Sequence, residues 1–133
     1  MYSEQFQESL KAVEKNREEN IALEPQRMTA KEKEVIRRIK ETSHKVVPPD
    51  GHVWLYGSRA RGNAHEGSDW DILILLNKPK LEASDYDVTY SFRELGWDIG
   101  EEISPSLYTL KQWDEWTFLP FHKNVEQDKF VLQ

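Results

Sequence analysis

The sequence predicts an α/β or α+β fold, and three observations carry that expectation. Val53-Trp54-Leu55-Tyr56 and Trp70 to Leu76 read as strands, rich in β-branched, aromatic and aliphatic side chains. Apolar residues at helical spacing mark segments before, between and after the strands. The resulting order is helix, helix, strand, strand, helix, strand, helix, which mixes both element types along one chain.

Each element has its own signal. In residues 3 to 22, Phe6, Leu10 and Val13 fall at helical spacing, and Arg17 and Ile21 continue the stripe until Pro25 ends it. The stripe is thin and the opposite face is charged, so residues 1 to 26 are expected to form an N-terminal helical extension. The main domain is expected over 27 to 133. Its first helix starts near Thr29, because Thr29-Ala30-Lys31-Glu32 is a capping box in which hydroxyl and carboxylate satisfy orphan N–H groups. Val35, Ile36, Ile39 and Val46 mark its buried face, and Pro48-Pro49-Asp50-Gly51 stops it.

Strand Val53 to Tyr56 runs into Gly57-Ser58, and a polar loop from Arg59 to Ser68 follows. Trp70 to Leu76 is apolar on both parities from Ile72 onward, which predicts a central strand covered on both faces. Residues 82 to 94 read as a helix whose apolar side is either Tyr86, Tyr90 and Leu95 or Val88 and Phe92. Glu101 to Thr109 reads as a third strand, and Pro105 places it at an edge or a bulge. Leu110 to Thr117 forms a short helix, Pro120 to Val125 opens a helix or turn, and Phe130-Val131-Leu132 is expected to pack back on the core.

Composition narrows the class. At 133 residues the chain has the size of one domain. It has no cysteine, which excludes disulfides and thiolate metal sites and suits a reducing compartment. The first residues are polar with no apolar run behind them, and Ile72 to Leu76 is far too short to span a bilayer. A soluble cytoplasmic protein with no membrane partner is the expectation. The net charge of −6 argues against extensive nucleic-acid binding, which needs clustered Lys and Arg. A nucleotide substrate stays open, because a few carboxylates can hold Mg²⁺ and the metal then carries the phosphates.

The informative stretch runs from Leu55 to Leu73. Asp69 and Asp71 sit two apart at the start of a strand, so their carboxylates project side by side on one face. Like charges at that spacing raise each other's proton affinity unless a cation sits between them. Gly57 lets the backbone turn and approach a ligand. The Ser58 hydroxyl and nearby N–H groups can donate to phosphate oxygens, and Arg59 and Arg61 match phosphate geometry. Taken singly, each piece is ordinary: an Asp-x-Asp is commonly a solvated strand end, a Gly-Ser pair a turn, and loop arginines solvated. Taken jointly, strand, Gly-Ser, ten residues and Asp-x-Asp gather every part near one end of one sheet. Trp70, between the two aspartates, must point to the opposite, packed face.

This stretch resembles the signature of the DNA polymerase β-type nucleotidyltransferase superfamily, in its minimal nucleotidyltransferase branch. Gly57, Ser58, Ala60, Arg61, Gly62, Ser68, Asp69 and Asp71 match it, over roughly residues 53 to 76. The resemblance implies a short mixed β-sheet with helices packed on one face, and makes 27 to 133 a nucleotidyltransferase domain. It implies that Gly57 and Ser58, with Arg59, Arg61 and Ser68 beside them, bind a nucleoside triphosphate such as ATP. It implies that Asp69 and Asp71 bind Mg²⁺, with a two-metal site within the family's repertoire. A third carboxylate is implied on the next strand. Alternation there sets Ile103 and Leu107 on one side and Glu102, Ser104 and Ser106 on the other, which makes Glu102 the first choice. Glu101 shares the role if the strand is bulged, and Asp98 is a weaker candidate. The implied reaction moves a nucleoside monophosphate, AMP by analogy, to an acceptor hydroxyl. Stand-alone members resemble antitoxins that modify a HEPN-type protein partner, and an aminoglycoside acceptor would call for a second helical domain. The rival expectation is a non-catalytic nucleotide-binding antitoxin or partner-binding module.

Overall fold

A computed structural model describes residues 28 to 133. The expected helix over residues 3 to 22 lies outside them. Helix α1, Ala30–Val46, starts where the capping box placed it. Thr29 Oγ1 accepts the Glu32 N–H at 3.1 Å, and Glu32 Oε1 accepts the Thr29 N–H at 3.1 Å. Val35, Ile36 and Ile39 are buried. The stripe ends on Val47 rather than Val46, because Val46 closes the helix half-exposed while Val47 turns inward.

The strands are β1, His52–Tyr56; β2, Trp70–Leu76; β3, Ile103–Thr109; and β4, Phe130–Val131. They form one sheet in the order β3-β2-β1-β4. β1 runs antiparallel to both β2 and β4, and β2 runs parallel to β3, so the sheet is mixed as expected. A four-residue helix α2, Ser58–Arg61, follows β1. A 3₁₀ turn, Ala83–Tyr86, leads into α3, Asp87–Ile99, which crosses between the parallel strands. Helices α4, Leu110–Glu115, and α5, Pro120–Asp128, follow β3. The sheet lies within one compact unit, Glu34–Gln133. Among the described residues no helix is long and apolar enough to cross a membrane.

β2 is buried on both parities and sits inside the sheet, as its apolar run required. One face carries Val53, Leu55, Ile72 and Ile74, all fully buried. The other carries Trp54, Leu73 and Leu75, which pack with Trp113 of α4 and Val125 of α5. Helices α4 and α5 thus set an aromatic layer over this face. β3 is an edge strand, which accommodates Pro105. Its residues alternate buried and half-exposed, with Ile103 and Leu107 inward and Ser104 and Ser106 on the other side.

Of the two apolar sides open for the third helix, Val88 and Phe92 turn inward, joined by Leu95, whereas Tyr86 and Tyr90 are exposed. Tyr86 belongs to the 3₁₀ turn, whose tighter winding takes it out of phase with the helix that follows. One local expectation changes: the third strand begins at Ile103 rather than Glu101, because Glu101 is still bonded to the end of α3 through its N–H to the Gly96 carbonyl.

Candidate active site

The site grows from the junction of β1 and β2. Their register sets Tyr56 opposite Asp71. The next residue, Gly57, has φ 74° and ψ −158°, a backbone region that only glycine adopts without strain. A side chain there would also collide with the site, since a Cβ on Gly57 would lie 2.6 Å from Asp71 Oδ2. The Gly-Ser end and the Asp-x-Asp end are thus in direct contact. Ser58 opens α2 immediately beyond.

Asp71 is half-buried and Asp69 is exposed, just ahead of the strand. The Asp71 carboxyl titrates above the usual carboxylate range. Burial is the largest cause and the negative charge of Asp69 the next, while Arg61 pulls the other way. Asp69, Asp71 and Arg61 therefore share one electrostatic neighbourhood. Two mutually repelling carboxylates, one of them lifted toward protonation, form a donor set that fits a divalent cation.

The two arginines of α2 part company. Arg59 is buried; its Nε and Nη2 donate to the Ser68 carbonyl at 3.3 and 3.1 Å, and its guanidinium lies 4.5 Å from the Trp70 ring centroid. Ser68 is itself engaged in the loop, where its Oγ accepts the His65 N–H at 3.0 Å. Both residues brace the segment that joins the two ends of the site. Arg61 faces solvent and its Nη1 donates to Asp128 Oδ2 at 3.1 Å. Of the residues expected to bind nucleotide, Gly57 meets Asp71 directly, Arg61 acts on its charge, and Ser58 follows Gly57 at the start of α2. Trp70 points away and is buried, as its position between the aspartates required.

On β3 the register sets Ser104, not a carboxylate, beside Asp71. The Trp70 N–H donates to the Glu102 carbonyl at 2.8 Å. Asp69 and Glu102 both lie just outside the paired stretch, which begins at Trp70 and Ile103. Glu101 and Glu102 line a small hollow with Arg93, Trp97 and Ile103. Among the described residues no three His, Asp or Glu side chains converge closely enough to hold a metal ion. Asp98 falls within α3 rather than on the strand.

Three features of the site were not assigned to it from sequence. Tyr56 has its phenol pKa raised, most by burial; the charges of Asp71 and Tyr108 add to the rise, and the Ser106 hydroxyl opposes it. Ser104 completes this hydroxyl rim. Its signal was the two-residue spacing of Ser104 and Ser106 on the polar parity of β3. Asp128 had no local signal, because only the fold brings it to Arg61.

With this geometry in view, the relatives can be placed. The model of the nucleotidyltransferase domain matches residues 32–132. No curated protein matches the sequence. Two solved structures have a similar fold. One is a toxin–antitoxin with AMP-PNP, at 18% identity and TM-score 0.52, covering 74% of this chain and 72% of that one. The other is a mutant of the toxin–antitoxin MntA–HpeT, at 15% identity and TM-score 0.50, covering 74% and 71%. At these identities the likeness is one of fold. Because the family match spans the whole sheet and both halves of the Gly57–Asp71 junction, the chain belongs to the nucleotidyltransferase domain family.

Proposed function

We propose that this chain transfers a nucleoside monophosphate, AMP in our reading, from ATP to an acceptor hydroxyl on a partner protein. The observation that carries the reading is the contact between Gly57 and Asp71, which joins a phosphate-binding turn to a cation-binding carboxylate. Gly57 and Ser58 would hold the triphosphate by backbone N–H and hydroxyl donors, and Arg61 would offset the charge gathering on the leaving phosphates. Asp69 and Asp71 would hold Mg²⁺, which when bound supplies charge neutralisation of the phosphate oxygens. A bond forms from the acceptor oxygen to the α-phosphorus, the bond to the bridging oxygen breaks, and pyrophosphate leaves. The acceptor's proton would pass to a carboxylate, for which Glu102, whose carbonyl accepts the Trp70 N–H, is the first choice and Glu101 the second.

The fold neighbours are toxin–antitoxin proteins, which supports a protein acceptor; a HEPN-type partner is the specific form of this proposal. A second reading, a nucleotide-binding antitoxin without turnover, is favoured by Ser104 standing beside Asp71. One experiment separates them. With Mg²⁺, labelled ATP and the partner, the enzyme releases pyrophosphate, and Asp69→Asn or Asp71→Asn lowers release at least about 100-fold, the scale for losing electrostatic support of the reacting phosphate. Partner binding that survives both substitutions, with no release from the wild type, would sink the transferase and leave the binding module.

A further inference from the structure

The ion pair between Arg61 and Asp128 joins two ends of the fold at the lip of the site. Arg61 belongs to α2, and the same guanidinium that acts on Asp71 donates to Asp128 at 3.1 Å. Asp128 is the last residue of α5. The start of α5 is held against the site end of β1, where the Phe121 ring meets Tyr56 edge-on at 5.6 Å between centroids. The pair is unequally exposed: the Arg61 side chain is 46% accessible, whereas Asp128 is 17% accessible. The anion is therefore fixed in the wall and the cation can swing. One nitrogen of the guanidinium fork engages one carboxylate oxygen. A carboxylate and a phosphate offer a guanidinium the same fork of acceptors, so one can replace the other on the same donors.

We propose that Asp128 is a positioning residue that acts as an internal stand-in for phosphate. It holds Arg61 at the lip of the site, and an arriving triphosphate must take the guanidinium from it. The pair is exposed enough to exchange easily, because a surface ion pair of this kind contributes little on its own. Asp128 thereby sets the affinity threshold of the site. This inference rests on reading the site as a nucleotide site.

Equilibrium titration of the full chain with ATP and Mg²⁺ tests it, using wild type, Asp128→Asn, Arg61→Ala and the double variant. Asp128→Asn keeps the shape of the side chain and is expected to tighten ATP binding about three- to fivefold, the scale of one exposed ion pair. Arg61→Ala is expected to weaken binding, and adding Asp128→Asn to it should change nothing further. Asp128→Ser, as a second variant, should tighten binding in the same direction. Unchanged or weaker binding in both Asp128 variants would overturn the inference. So would a tightening that persists in the Arg61→Ala background, because that reports bulk charge rather than release of Arg61. Failure of all the proteins to bind ATP would overturn the nucleotide reading itself, a result distinct from ATP binding that ignores Asp128.

Discussion

The two faces of the sheet are built from different chemistry. On one, Val53, Leu55, Ile72 and Ile74 are aliphatic and fully buried. On the other, Trp54, Trp113, Tyr56, Tyr108 and Phe121 form an aromatic layer in edge-to-face contacts, such as Trp54 on Trp113 at 5.9 Å. That layer grades at one end into Ser106, Ser104 and Asp71. At its site end the aliphatic face closes on Trp70, over which the buried Arg59 guanidinium lies. The aromatic face has rings with polar rims, so it can pass from dry core to wet site without a buried orphan. The site sits where the second face runs out of aromatic cover, on strands that the first face holds rigid.

The largest loss of stability is expected on the first face. Ile72→Ala should cost about 2–5 kcal/mol, because its surroundings are packed on every side and relax little. The midpoint of denaturant unfolding measures it, and a loss below about 1 kcal/mol would mean that this face is not the rigid one. Gly57→Ala attacks the junction. It should cost about 1–3 kcal/mol for the glycine-only backbone and displace the Asp71 carboxylate, so stability falls moderately while transfer is lost.

Asp71→Asn has the smallest effect on stability and the opposite sign. The folded-state pKa of Asp71 lies above its unfolded value, so the folded chain holds the proton more tightly. That contribution is complete below the ordinary carboxylate pKa and is lost as pH rises through the raised one. Above that window the ionised Asp71 opposes folding. At pH 7 the variant should therefore gain a few tenths to about 1 kcal/mol after allowance for solvent screening, and the gain should vanish in acid. Thermal melts against pH measure it. Added Mg²⁺ should narrow the gap by stabilising the wild type more than the variant, which separates a cation site from mere repulsion.

Much of this was legible from local sequence. The β2 run of Ile72 to Leu76 announced its double burial, and the Thr29–Glu32 box announced the start of α1, because both signals are carried by neighbours in the chain. Asp69 and Asp71 shared a face for the same reason. Arg59 and Arg61 looked equivalent in sequence, yet one is buried over Trp70 and the other is exposed against Asp128. Their difference arises from partners that only tertiary packing supplies. Residue spacing left two apolar sides open for the third helix, and tertiary packing selects Val88 and Phe92, with Leu95, over Tyr86 and Tyr90. The place of Ser104 beside Asp71 likewise depends on a parallel register that no turn between the strands fixes.

The central place of β1 has a consequence for how the molecule assembles. β1 pairs on one side with β2, which follows it through the short segment bearing Gly57 and Ser68, and on the other with β4, drawn from more than half the chain away. Closing the first pairing orders a short stretch of chain; closing the second orders a long one at greater entropic cost. The antiparallel pair that carries Gly57 and Asp71 is therefore the most local long contact of the sheet and the natural place for folding to begin. β4, whose partner Leu132 N–H reaches back to the Val53 carbonyl at 2.8 Å, is the late strap that finishes it.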